Sequence, residues 1–165
     1  MPATSLPAST EYINPGVTEI RSVDAIADLT APTSTELDAG TDLTDAVRDA
    51  TSWSITADKV STQGLGSNFK SETTGMRGPD GDQSLTFSAS IDGQDVRTVL
   101  PEGTETHIVI YHGGNATGNL IDIWPVKVAS VGKPINVAGT DQARVVVGFA
   151  ITGPPEVDVV IPAAA

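Results

Sequence analysis

The sequence predicts a mainly β fold: an antiparallel β-sandwich or barrel-like domain with one or two short helices packed against it. Three observations predict it. The apolar residues are skewed toward Val, Ile and Ala, with aromatics at only 4%; β-branched side chains are stiff at χ1 and suit a pleated surface better than a helix. The C-terminal half reads as a series of short strands separated by Gly, Pro and Asn turn signals. No βαβ alternation and no internal repeat breaks that series, which argues against a parallel sheet. A chain of 165 residues is most simply one domain, able to bury about two-thirds of its unfolded surface.

Taken in order, residues 1–16 carry three prolines and little periodicity, and read as an N-terminal arm whose sizeable apolar pair is Tyr12-Ile13. The single domain then spans 17–162, with 163–165 as a tail. The run from Val17 to Val23 is strand-like, although its apolar residues stand three apart. Thr33 and Glu36 have capping-box spacing and predict a helix start, which Gly40 ends after one or two turns. Residues 40–45 read as a turn followed by a strand or loop. Between Asp24 and Asp58 eight acidic residues stand against one basic residue, Arg48, the pattern of a solvated face. Ser52–Thr56 alternates as a strand with Trp53 and Ile55 on one face.

Residues 61–82, with five glycines and Phe69 near the centre, are expected to form the longest irregular loop, a length usually functional or mobile. The cleanest alternation is Ser84–Ile91, which places Leu85, Phe87, Ala89 and Ile91 on one face. Val96, Val99 and Leu100 have helical spacing and stop at Pro101, predicting a short packing helix. Strands follow at 106–111, 119–124, 126–131, 143–151 and 157–161, the first two joined by a glycine-rich hairpin connection at 112–118.

The charge balance excludes some functions. With 21 acidic and 9 basic residues the chain carries a net charge of −12 and would repel nucleic acid rather than bind it through phosphates. The absence of cysteine excludes disulfides and thiolate chemistry. Residues 1–15 lack the basic and apolar regions of a secretion signal, and no apolar run is long enough to span a membrane. Asn115-Ala116-Thr117 matches a glycosylation acceptor, and without a signal peptide it reads as chance.

No motif points to catalysis, a metal or a cofactor. Strand periodicity puts His107 and His112 on opposite faces, and nothing in the sequence places a carboxylate such as Asp122 beside either. Asp80-Gly81-Asp82 lacks the remaining ligand positions of a calcium loop, and the pair Asp42 and Asp45 is no better. His112-Gly113-Gly114 has no nucleophile elbow to serve. Gly64-Leu65-Gly66 and Gly132-Lys133 lack the glycines and the context of phosphate-binding loops. The chain is therefore read as a building block rather than an enzyme, with its surfaces as its function.

Several stretches, in this order, resemble one family. They are Ala31-Pro32-Thr33 with Glu36–Leu43, Leu65-Gly66-Ser67, Ser84–Phe87, Gly93–Arg97 with Leu100–Thr104, Asp122–Val128 and Phe149–Pro155. On these residues, which cover about 17–162, the chain resembles the major tail tube protein of long-tailed (siphovirus-type) bacteriophages, in particular those of actinobacteria. The resemblance implies a homo-oligomer of stacked hexameric rings around a lumen that conducts viral DNA during ejection without binding it specifically. It also implies tape measure, tail terminator and tail tip proteins as partners, and a place in the virion tail after assembly in the bacterial host cytoplasm. It assigns no particular acidic residue to the lumen.

Three properties of the sequence fit such a role. An acidic conduit lets DNA slide rather than stick. Open sheet edges, a liability in a monomer, become bonding surfaces in a ring. The arm, the 61–82 region and the segment from Gly153 to Ala165 are natural stacking elements. Mutual repulsion of acidic subunits also requires cations at the interfaces. The candidate assembly residues are Tyr12, Ile13, Arg48, Phe69, Lys70, Arg77, Arg97 and Arg144, with Arg97 also able to pair with the nearby Asp95 or Glu102. The alternatives are another virion β-protein, such as a decoration or tail terminator subunit, and a ligand- or carbohydrate-binding β-sandwich. The last would need Trp53, Trp124, Tyr12 and Tyr111 to converge on one groove.

Overall fold

The computed structural model describes residues 9–51, 53–135, 137–140 and 142–163. The start of the expected arm, Ser52 of the expected strand at 52–56 and the end of the expected tail lie outside them. The chain runs β1 (Glu19–Val23), α1 (Ser34–Asp38), β2 (Thr41–Asp42), β3 (Val47–Thr51), β4 (Ile55–Ser61), β5 (Glu72–Pro79), β6 (Gln83–Ser88), α2 (Val96–Val99), β7 (Glu105–Tyr111), β8 (Leu120–Gly132), β9 (Arg144–Ile151) and β10 (Glu156–Val160). All pairings are antiparallel. One sheet has the order β2-β1-β7-β8-β9-β6-β3, with β10 also paired to β8, and β4 and β5 form a separate two-stranded sheet. The mainly β, antiparallel class is as expected; the sheet is open, not a closed barrel.

The central strands explain the two-layer core. In β7, Ile108 and Ile110 point to one face while Val109 and Tyr111 point to the other, and all four are buried. The first face joins Trp124, Val126, Leu85, Phe87, Val145, Val147, Phe149 and, from α2, Val96 with its cap Leu100. The second joins Ile121, Ile123, Val23, Leu37 of α1, Val159 and Ile161. A strand covered on both faces needs an unbroken apolar run rather than alternation, which is why His107–Tyr111 reads as it does. Each fully buried aliphatic or aromatic side chain stabilises the fold by about 1.5–3 kcal/mol.

Both helices are set by caps. Thr33 Oγ1 accepts from the Glu36 amide (3.3 Å), and the Glu36 carboxylate accepts from the amides of Thr33 (2.8 Å) and Ala27 (2.9 Å). The box thus ties the helix to the loop before it. Gly40 ends α1 where a Cβ would lie 2.7 Å from the Val23 side chain. At α2, the Asp95 side chain accepts from the Arg97 amide, as the expected short helix requires.

Several elements differ from the sequence expectation. The strands at 119–124 and 126–131 are one strand, β8, running through Pro125. Proline is tolerated because β10 pairing ends at Ile123 and β9 pairing begins at Val126 on the same edge. The missing N–H falls in that gap, and the Pro125 carbonyl there accepts from Thr152 N (3.0 Å). The strand expected from Ser52 begins at Ile55, although Trp53 and Ile55 do both pack on the first core. The acidic 24–58 stretch contains an unforeseen edge strand, β3. Ile91 lies beyond β6 and is fully exposed instead of sharing the face of Leu85 and Phe87. Most importantly, much of the expected 61–82 loop is strand β5.

Candidate functional site

The β4–β5 hairpin is the most distinctive surface. Thr56, Lys59 and Val60 pair with Gly78, Thr74 and Thr73, so β-branched residues carry much of the ladder. A one-residue bulge lies between the Ala57–Arg77 and Lys59–Thr74 pairs. Gly75 occupies it, where a Cβ would come within 3.1 Å of the Val60 side chain and 3.3 Å of Asp58 Cβ. Apart from its base, the hairpin is exposed on both faces. Val60, Leu65, Phe69 and Met76 are all exposed. An isolated hairpin is at best marginally stable in water, so one that projects apolar residues at its tip is built to be covered.

Its base is anchored by aromatics. The Trp53 ring meets Trp124 edge-on at 5.4 Å and 82°, and lies 5.6 Å from Phe149. Trp53 Nε1 donates to the Ser84 carbonyl (3.2 Å). The hairpin is thus tied at its root to the first core and free at its tip.

The structure sorts the sequence candidates into groups. Phe69, Lys70 and Arg77 all sit on the hairpin, with Lys70 3.0 Å from Glu72 and Arg77 paired opposite Ala57 in the ladder. Arg48, on edge strand β3, and Arg144, at the start of β9, line a shared polar hollow with Ser88 and Gln142. Ile13 is exposed, and Tyr12 lies in a shallow groove with His112, Asn119 and Asp158. Arg97 stands apart: its Nε and Nη2 reach the two Asp95 oxygens at 2.7 Å each, and Nη2 also donates to the Ser90 carbonyl (3.0 Å). These hydrogen bonds, Arg97 foremost, hold the Asp95 carboxyl well below its ordinary pKa. The Arg97 guanidinium is therefore engaged within its own chain.

Sequence reasoning missed three features. The His112 ring (Nε2) lies 2.7 Å from Asp122 Oδ2, and Asp122 Oδ1 accepts from the Asp158 amide (3.0 Å). Asp158 is left-handed (φ 57°) at a bulge in β10, between the Glu156–Ile123 and Val159–Ile121 pairs. The bulge turns Val157 and Val160 outward, 48% and 57% exposed. The one available signal was the V-D-V-V run, since an aspartate among valines tolerates the left-handed region better than its neighbours do.

Chemistry remains sparse. Among the described residues no group of three or more His, Asp or Glu could hold a metal, and no helix is long and apolar enough to cross a membrane. The four aromatics named for a carbohydrate groove do not converge. Trp53 and Trp124 belong to the first core, Tyr111 is buried in the second, and Tyr12 lies in the groove beside His112.

A family model described as phage tail tube protein matches residues 7–164. Among curated proteins no sequence relative matches. Among solved structures, a chain in the cryo-EM structure of the anti-feeding prophage (AFP) baseplate, 6-fold symmetrised, is similar with a TM-score of 0.57 over 93% of this chain and 97% of that one. At 11% identity the likeness is one of fold.

Proposed function

The chain belongs to the phage tail tube protein family, and from that premise we propose that it is the repeating subunit of a virion tail tube. Six copies join into a ring, rings stack, and the acidic lumen conducts viral DNA during ejection. The subunit acts through its surfaces and carries no reaction. The observation that carries this reading is the exposed β4–β5 hairpin, rooted in the core by Trp53 and apolar at its tip.

Two further features support it. The main sheet is open at β2 and at β3, so neighbouring copies can continue it edge to edge, and Arg48 on β3 meets the need for a cation at that seam. The similar baseplate chain comes from an assembly with 6-fold symmetry, which fits a hexameric ring here. A siphovirus-type tail in actinobacteriophages, assembly in the host cytoplasm, and contacts with tape measure, terminator and tip proteins follow from the sequence resemblance and belong to the same proposal. Arg144, Lys70 and Arg77 remain candidate interface cations and Tyr12 and Ile13 candidate arm contacts, whereas Arg97 is held by Asp95 and Ser90 of its own chain.

The test is to shorten the hairpin. Replacing residues 62–71 by a two-residue Asn-Gly turn removes Leu65 and Phe69 while keeping the β4–β5 ladder. The subunit should keep its thermal midpoint and lose ring stacking. Tubes of normal length from the shortened chain would sink the assignment.

A further inference from the structure

A projecting hairpin requires a receiving surface, and the charge distribution indicates where it lies. Resting on the tail tube reading above, we propose that the β4–β5 hairpin tip of one subunit docks into the groove between the start of α1 and strand β10 of a second copy. The groove has a volume of about 680 Å³. Pro32, Val159, Val160 and Pro162 give it an apolar lining, and Glu156 and Asp158 are its charged residues; none of its lining residues is basic. It owes its form to the β10 bulge at Asp158, which turns Val160 outward. β10 pairs only with β8, so its outer backbone edge is also free among the described strands.

The hairpin is complementary in both respects. Residues 55–79 hold three basic side chains (Lys59, Lys70, Arg77) against two acidic ones (Asp58, Glu72), a net positive segment in a chain of net charge −12. Its tip presents Leu65 and Phe69, both exposed, so the tip does not occupy a groove on its own subunit. Seven residues of β4 at about 3.3 Å each carry the tip about 20 Å from its root, far enough to cross to a neighbour. Docking buries Leu65 and Phe69 on the apolar lining and sets Lys59 and Lys70, the basic side chains nearest the tip, near Glu156 and Asp158. It thereby places attraction where two acidic subunits would otherwise repel.

The cysteine-free sequence makes the test direct. Subunits carrying Phe69→Cys are co-assembled with subunits carrying Val160→Cys, oxidised mildly, and run on a non-reducing gel; Ile91→Cys, on an exposed loop away from the groove, replaces Val160→Cys as control. The expected result is at least tenfold more disulfide-linked dimer with Val160→Cys than with Ile91→Cys, together with tubes by electron microscopy. Tubes with equal or no cross-linking at Val160→Cys overturn the docking and leave the tube reading standing. A wild-type chain that forms neither rings nor tubes overturns both. As a second measurement, Glu156→Lys should lower tube yield at least tenfold with an unchanged thermal midpoint, and unchanged yield counts against the proposal.

Discussion

Trp53→Ala tests how the hairpin is tied to the domain. Truncating a fully buried aromatic costs about 3–5 kcal/mol. Trp53 is only partly buried, so a figure below that range applies, about 2 kcal/mol. Its Nε1 hydrogen bond to the Ser84 carbonyl adds about 1 kcal/mol. The sum, about 3 kcal/mol, lowers a urea midpoint by about 1.5 M for a denaturant slope near 2 kcal/mol/M. Trp53→Phe keeps most of the ring contact with Trp124 and Phe149 but loses the donor, and should cost about 1 kcal/mol. Unfolding is followed by far-ultraviolet circular dichroism and by the fluorescence of the remaining Trp124. Amide exchange adds the local readout: protection in β4 and β5 should fall further than in β7 and β8, because the hairpin loses its anchor while the double-faced core persists. A midpoint shift under about 0.5 M with unchanged exchange in the hairpin would refute the anchoring argument.

Other consequences can be checked on the purified subunit. Thr33→Ala removes the hydroxyl that caps α1 and should cost about 1 kcal/mol, read from the thermal midpoint. Asp95 is held at a lowered pKa chiefly by its hydrogen bonds with Arg97, so the stability it contributes is present above the unfolded carboxyl pKa and is lost as pH falls below about 4 toward the folded value. Asp95→Asn should therefore be less stable than wild type at pH 7, with the gap narrowing under acid in parallel urea titrations. Deleting residues 1–13 should leave the thermal midpoint unchanged and shorten the tubes seen by electron microscopy; unchanged tube length and stability would remove the arm from the stacking contacts.

The readable parts of the sequence were those where local chemistry and tertiary context agree. The Thr33 and Glu36 spacing marked α1, the spacing of Val96, Val99 and Leu100 before Pro101 marked α2, and the alternation of Leu85 and Phe87 marked β6. Strand β5 was hidden because Gly75 and Gly78 are the usual marks of a loop, while here one fills a bulge and the other pairs with Thr56. Pro125 looked like a strand break because its missing amide matters only if a partner faces it, and the partner strand changes at that position. The sequence also could not reveal that Trp53 and Trp124 meet each other, since contact between residues far apart in the chain depends on the sheet order. The receiving groove was hidden for the same reason: Pro32 and Val160 lie at opposite ends of the chain.

On the proposed function this chain builds a tube. Negative-stain electron microscopy of the purified chain across a concentration series tests it most directly. Rings with six-fold end views should form and stack into hollow tubes of uniform diameter as concentration rises. A monodisperse monomer at every concentration, including at salt high enough to screen the acidic repulsion between subunits, would contradict it.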